Sequence, residues 1–503
     1  MYPLRNIVIC LFFFGALCTH LELTAQKVGA ADAETSEALF RAGRFDEAKK
    51  RLQTRLKEDP KSVPDGLLLT QILLLEDSFD AAHDQVHQIL RLSPENAKAI
   101  TLYGHCLFRQ GKFEKAGAEY RRSLRLNPDQ AAAYRGLGRL YLTKLQTKES
   151  TQAFQKAISL DPGDEDNYFF ASEAYGAQKN HAKQVECLEK YLELKPKFNE
   201  ERVKNAEALL LFFRALNKTA PVKVTNSARS YEIPVQPFYG LMLAETKVNG
   251  QGPYRFLVDS GATSTVLSEA LIEELKVPVL SNAVASCVGG SGRTGTKLAR
   301  IDTFEVGDLE ITNLPVSSFD NAIFSGLIDG VLSTADLADF LITLDYVDRK
   351  ILLDPQKGAP AEKANTQHAA SVVAPFRILG NLILLPVVVN GREAQSFLFD
   401  TGAVTSTLSK RQAAFLGVTE DTPKAKVDLQ FAGACGVTQS VLSVPRVNLS
   451  LVGMTTPFVK ILAVELKEIS KELRTEVSGI LGGDFYSKRK VMIDYVNTKI
   501  VID

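Results

Sequence analysis

The stretch VNGQGPYRFLVDSGATSTVLS, Val248–Ser268, recurs without gaps as VNGREAQSFLFDTGAVTSTLS, Val389–Ser409, 141 residues later. Each copy runs an apolar strand (FLVD or FLFD) into Asp-Ser/Thr-Gly-Ala, then a hydroxyl-rich turn and a new strand start at Val266-Leu267 or Thr407-Leu408. A second matched pair closes the unit. DGVLSTADLADFLITLDYVDRKILLD, Asp329–Asp354, aligns with SGILGGDFYSKRKVMIDYVNTKIVID, Ser478–Asp503, at a shift of 149. Order and polarity agree in both pairs, so a net eight extra residues of the second copy lie between them. Alternating β-branched and apolar runs bounded by Gly, Pro and Asn make each copy a β lobe. Lobe one is expected over 238–356 and lobe two over 376–503, joined by a Pro/Ala/Gln-rich tether over 357–375.

A lone Asp before a small residue and Gly is an ordinary turn. Two at equivalent positions of a duplicated lobe are far more specific, because a pseudo-two-fold axis can bring Asp259 and Asp400 face to face. Two carboxylates a few ångströms apart do not both ionise easily, so one pKa rises and one falls. Such a pair holds a proton and a water: the ionised member deprotonates the water and the protonated member polarises a scissile carbonyl. The pair titrates as a unit. Gly261 and Gly402 let the backbone turn tightly, and the hydroxyls of Ser260 and Thr401 are placed to brace the turns across the axis.

At Asp259-Ser260-Gly261-Ala262, Asp400-Thr401-Gly402-Ala403 and Gly479-Ile480-Leu481-Gly482 the module resembles aspartic peptidases of the retropepsin-like type, over roughly 238–503. The resemblance implies a mainly β, two-lobed acid-protease fold with Asp259 and Asp400 as catalytic residues, a polypeptide substrate, and no metal or other cofactor. It also implies that Ser260, Gly261, Ala262, Thr401, Gly402, Ala403 and Gly482 support the catalytic turns. The Gly-rich hairpins, with Gly289 and Gly290 in SCVGGSGRTG and Gly433 and Gly436 in AGACGVTQS, become flaps over an extended peptide. Three departures stand out. Ser333 replaces the glycine matched by Gly482; Ala262 and Ala403 lack the hydroxyl of pepsin-like enzymes, which implies a less acidic optimum; and neither flap carries an aromatic. Cys287 and Cys435 fall at similar places in the two hairpins and are expected as free thiols, since a tie there hinders substrate entry.

The first half has a different period. Pro60, Pro94, Pro128, Pro162 and Pro196 recur every 34 residues, in step with Phe45, Phe79 and Phe113 and with Ala48, Ala82 and Ala116. The pattern is two amphipathic helices crossing at small residues such as Gly104 and Gly138, with proline ending the second helix. Each unit buries its apolar face only against neighbours, so several must stack. The pattern resembles the tetratricopeptide repeat, which implies an α-helical solenoid over 31–216 with a capping helix at Glu200–Leu216, and a peptide or protein partner. A spacer, or a dock for the second half, is the competing expectation. Residues 217–237, rich in Pro, Ser, Thr and Val, are expected as a linker.

The N-terminus reads as an export signal over 1–30: Arg5 precedes the apolar Ile7–Leu17, which is too short to span a bilayer comfortably. A periplasmic or extracellular place is expected, with a membrane anchor as the alternative if this segment stays uncleaved. Lys+Arg and Asp+Glu balance at 59 each, which removes the usual electrostatic footprint for nucleic acid. The six cysteines form no Cys-x-x-Cys. His83 and His87, four apart, lack an evident third metal ligand. An aspartic endopeptidase with recruiting repeats is the leading expectation. A non-catalytic peptide-binding scaffold is its rival, and pairing of lobes between two chains is a third arrangement.

Overall fold

The computed structural model describes residues 35–197, 200–287, 292–319, 326–356, 371–393, 395–427, 431–433, 436–438 and 440–503. The expected signal, Gly289, Gly290 and most of the tether lie outside these residues. No described helix is long and apolar enough to cross a membrane.

Among the described residues, ten helices form five successive pairs from Ser36–Arg41 to His181–Glu193, and an eleventh, Glu200–Leu216, covers the last pair. The prolines act one residue upstream. Asp59, Ser93, Asn127 and Asp161, each preceding a repeat proline, leave the helical region with φ of -128, -142, -145 and -140°. Glycine marks the crossings: a Cβ on Gly104 meets the Tyr120 ring at 2.6 Å, and one on Gly138 meets Phe154 at 2.9 Å. The solenoid thus follows from small residues facing buried aromatics at fixed spacing.

The lobes repeat one topology. In lobe one the strand Gln251–Asp259 lies parallel to Gly330–Ser333, which pairs antiparallel with Val266–Ser268. In lobe two Gln395–Phe399 lies parallel to Gly479–Leu481, which pairs antiparallel with Thr407–Ser409. Each Asp turn therefore emerges from the middle of its lobe, between strands buried on both sides. Ser268 and Ser409 then cap short helices by accepting from the backbone N–H of Leu271 and Gln412. Closing strands of both lobes join in one sheet, where Phe340–Asp345 pairs antiparallel with Lys490–Asp494. Both lobes of the pair thus come from one chain.

Two boundaries differ from expectation. Residues 217–237 are not a plain linker: Lys223–Val224 pairs with Leu309–Phe319, and Tyr231–Phe238 pairs with Lys350–Pro355 and Leu241–Val248. The reason is a period of two. Tyr231, Ile233 and Val235 are buried while Glu232, Pro234 and Gln236 are exposed, an alternation that the Pro/Ser/Thr-rich composition hides. At the end of the expected tether, Val372–Pro375 is a strand paired with Lys499–Ile502.

The repeats pack on lobe two. Leu107, Phe108, Phe113 and Leu137 share an apolar cluster with Leu384, Leu398, Val464 and Ile480. Thr475 Oγ1 donates to Phe108 O at 2.6 Å, and Glu476 N donates to Arg109 O at 2.7 Å. The dock expectation thus has a physical basis, and it does not exclude a partner on the opposite, inner face.

Candidate active site

The strands just described deliver Asp259 and Asp400 to facing turns. Gly261 N donates to Asp259 Oδ1 at 2.6 Å, and Gly402 N lies 3.1 Å from the same oxygen and 2.9 Å from Asp400 Oδ1. Ser260 Oγ donates across the axis to Phe399 O at 2.8 Å, and Thr401 Oγ1 donates to Val258 O at 3.0 Å. Each hydroxyl also accepts from the opposite turn: Ser260 N to Thr401 Oγ1 at 2.9 Å and Thr401 N to Ser260 Oγ at 3.1 Å. Four reciprocal hydrogen bonds, all buried, lock one lobe to the other. Any one left unpaired costs the desolvation of its group.

The glycines serve close approach more than turning. A Cβ on Gly261 sits 2.6 Å from Asp400 Cγ, and a Cβ on Gly402 sits 2.6 Å from Asp259 Cγ. Glycine is therefore what lets each backbone reach the opposite carboxylate.

Burial raises the pKa of both carboxyls. Asp400 is held well above the usual carboxylate range, first by burial and then by the negative charge of Asp259 beside it. Asp259 is raised less decisively, because the N–H groups of Gly261 and Gly402 favour its ionised form. The asymmetry arises because Asp259 Oδ1 accepts two backbone N–H groups. Tyr486, fully buried, donates its hydroxyl to Asp400 O at 2.7 Å and fixes the lobe-two turn from behind.

Ser333 fits where a glycine was expected. Its φ of -71° and ψ of 130° are ordinary, and its Oγ donates to Ala262 O at 2.7 Å, so lobe one is braced rather than distorted. In lobe two a Cβ on Gly482 sits 2.5 Å from Thr405 C, so glycine is required there. Ala403 accepts from Gly483 N at 2.8 Å.

Sequence reading missed two aspartates that pin the loops following the turns. Thr265 N donates to Asp336 Oδ2 at 2.7 Å, and Ser406 N donates to Asp484 Oδ1 at 2.8 Å. Thr265 and Ser406 match at the shift of 141, but Asp336 and Asp484 are 148 apart, so the gapless alignment at 149 sets Asp484 against Ala335. A one-residue slip in that alignment was the available signal.

The residues expected in the flaps are only partly placed. Gly433 pairs with Gly436 in the hairpin of Phe431–Gly433 with Gly436–Thr438, whereas Gly289 and Gly290 lie outside the described residues. In lobe one the arm Val279–Ser286 pairs with Arg293–Val306. The capping helix holds that arm: Asn205 Nδ2 donates to Val284 O and Asn205 Oδ1 accepts from Val284 N, both at 3.0 Å. Ser286 N donates to Glu472 Oε2 at 3.1 Å, so lobe two holds the same arm. The expectation of a free Cys287 is wrong, because Cys287 is disulfide-bonded. Cys106 and Cys187 are buried free thiols. The Nε2 atoms of His83 and His87 lie 3.2 Å apart, and among the described residues no group of three His, Cys, Asp or Glu is placed to hold a metal ion.

The family model described as aspartyl protease matches residues 244–335 and 385–485, one segment in each lobe and each containing an Asp turn. Models of the tetratricopeptide repeat match 104–144, 131–164 and 165–198. Tetratricopeptide-repeat matches in the first half are thus followed by aspartyl-protease matches in the second. No curated protein matches the chain. Solved structures that resemble the repeat part include MamA, at 25% identity over 32% of this chain and 94% of that one with a TM-score of 0.25. Another is TTC0263, a thermophilic repeat protein of Thermus thermophilus, at 22% identity over 35% and 96% with a TM-score of 0.31. A third is pilF of Pseudomonas aeruginosa, at 17% identity over 36% and 81% with a TM-score of 0.29. The order of the matches is the order of the folded parts: solenoid first, two-lobed domain second.

Proposed function

We propose that this chain is an exported, retropepsin-like aspartic endopeptidase in which Asp259 and Asp400 share one proton and activate a water. The observation that carries the reading is the pair of facing turns locked by four reciprocal hydrogen bonds, with Gly402 N between the two carboxylates. A cross-braced pair of this kind keeps its geometry while charge moves through it, which is what electrostatic stabilisation of a transition state needs.

The proton resides on Asp400, the member whose ionisation is opposed by burial and by its neighbour's charge. Asp259, stabilised by two N–H groups, takes a proton from the water as its oxygen attacks the scissile carbonyl. Asp400 donates its proton toward the carbonyl oxygen, giving a neutral tetrahedral diol. Collapse of the diol expels the amine, which takes the proton from Asp259, while a diol hydroxyl gives its proton to Asp400, so the starting protonation state returns. The repeats recruit a protein partner or the substrate, as such arrays generally do. Export rests on Arg5 and the apolar segment after it.

The test uses an unstructured protein substrate across pH with wild type, Asp259→Asn and Asp400→Asn. Loss of cleavage by about 10²–10⁴-fold or more is expected in both variants. Cleavage that persists in either variant, or is absent in wild type at every pH, rejects the dyad in favour of the scaffold reading. Fractionation of cells expressing the full chain tests export, which retention of an unprocessed protein in the cytoplasm rejects.

A further inference from the structure

Each lobe closes on the same tripeptide, Asp345-Tyr346-Val347 in lobe one and Asp494-Tyr495-Val496 in lobe two, at the shift of 149. The strands that end on these aspartates, Phe340–Asp345 and Lys490–Asp494, pair antiparallel in the sheet common to both lobes. The two tyrosines therefore stand at opposite ends of that strand pair, and each reaches into the opposite lobe.

Tyr495 of lobe two is buried. Its ring stands edge-on to the buried Phe376, with centroids 5.8 Å apart, and its hydroxyl lies 2.7 Å from the hydroxyl of the buried Thr334 in lobe one. Either oxygen can be the donor. The Tyr346 ring of lobe one lies 5.4 Å from that of Tyr486 in lobe two, whose hydroxyl holds Asp400 O.

The place of Thr334 is what gives the first contact its meaning. Thr334 belongs to 333–336, the segment that grips both ends of the loop after Asp259. Ser333 Oγ donates to Ala262 O at 2.7 Å, Ser333 N donates to Thr265 Oγ1 at 3.3 Å, and Asp336 Oδ2 accepts from Thr265 N at 2.7 Å. Duplication repeats the tyrosine but not its partner: at the shift of 149, Thr334 stands against Gly483 and Leu337 against Tyr486. Each lobe thus meets the opposite tyrosine with a side chain of its own, behind its own catalytic turn. A buried tyrosine hydroxyl finds a partner in most cores. Here that partner adjoins the brace of the Asp259 turn. The ionisable groups that bear on Tyr495 are Asp336 and Asp259; burial, with their charges added, keeps its hydroxyl protonated.

We infer that Tyr495 is a positioning residue for the dyad: through Thr334 it ties the segment under the Asp259 turn to the shared sheet, so that lobe two fixes how this turn faces Asp400. The inference rests on the aspartic-peptidase reading proposed above. Small misplacements of a reacting group cost rate rather than binding. A loosened turn also weakens the Gly261 and Gly402 N–H bonds to Asp259 Oδ1, which favour its ionised form. The acidic limb of the pH profile then moves to higher pH.

The test compares the full chain with Tyr495→Phe, Thr334→Val and the double variant on an unstructured protein substrate, reading kcat, KM, the pH profile and the melting temperature. Tyr231→Phe is the control: the buried Tyr231 hydroxyl donates to Thr225 O at 2.9 Å and Asn226 O at 3.0 Å, outside both turns and their braces. Each single variant is expected to lower kcat about tenfold with KM within about twofold, and to raise the acidic limb of kcat/KM. The double variant is expected to do no more than either single one. Tyr231→Phe is expected to lower the melting temperature and leave the limb in place. A limb that fails to rise in any single variant that folds, or that rises equally in Tyr231→Phe, makes Tyr495 a structural tyrosine and overturns the inference. Thr334→Val keeps the test open should Tyr495→Phe misfold. A wild type that cleaves at no pH sinks the proposed activity alone. The carboxyl titrations are then followed by ¹³C NMR, with resonances assigned by Asp259→Asn and Asp400→Asn. Tyr495→Phe is expected to raise the midpoint of the lower step, and an unmoved midpoint overturns the inference.

Discussion

Gly402 and Gly261 set how near each turn comes to the opposite aspartate, and the first expectation follows from their missing side chains. Gly402→Ala places a methyl 2.6 Å from Asp259 Cγ, which only movement of the carboxylate relieves. A loss of about 1–3 kcal/mol, typical of overpacking, is expected in urea denaturation, with cleavage falling further than stability. Wild-type activity in that variant contradicts the close-approach argument. Ser333→Ala removes the hydrogen bond to Ala262 O and is expected to cost about 1 kcal/mol by the same measurement. The dyad also predicts a pH dependence. Both carboxyls have folded pKa values raised above the unfolded ones, so the folded state binds protons more tightly. Stability from this source is intact below the unfolded value of about 4 and is lost as pH climbs through the folded values. Asp400→Asn removes the larger part of that loss. Its melting temperature is expected to exceed wild type at pH 7, with the gap closing near pH 3; a gap independent of pH contradicts the raised pair.

Among the elements, the arm Val279–Ser286 of lobe one is tied both to the capping helix and to lobe two. Asn205→Ala removes both hydrogen bonds to Val284, so amide exchange over 279–286 is expected to speed up several-fold while the strand Gln251–Asp259 keeps its protection. Exchange unchanged in the arm shows that the capping helix holds it by packing alone. This tie was not legible in the sequence, because it joins residues 79 apart through one exposed amide that no periodicity marks. What was legible is what repeats. Duplication exposed the two Asp turns, and proline spacing exposed the helix pairs, since each rests on a local rule applied several times. Tyr231–Phe238 was missed because its alternation sits in linker-like composition, and Asp484 because it lies one residue out of step with Asp336 in the gapless alignment. The disulfide bonding of Cys287 was not legible, because strand patterns do not encode which cysteines come together.

At the scale of the whole molecule, the repeats and lobe two share one apolar cluster, and the lobes share one sheet through Phe340–Asp345 and Lys490–Asp494. Helix content and tyrosine fluorescence are therefore expected to report one coincident unfolding transition. Phe108→Ala, at the shared cluster, is expected to cost about 3–5 kcal/mol and to lower both signals together. Separate midpoints contradict a common core. The capping helix has one more effect. Among the described residues, the arm Val279–Ser286 is the last strand of its sheet, paired on one side only and overlaid by that helix. A bare sheet edge is a template for strands of other molecules. Shorn of its solenoid, the two-lobed domain is thus exposed to self-association into β-aggregates, and the repeats act as its built-in guard against misassembly.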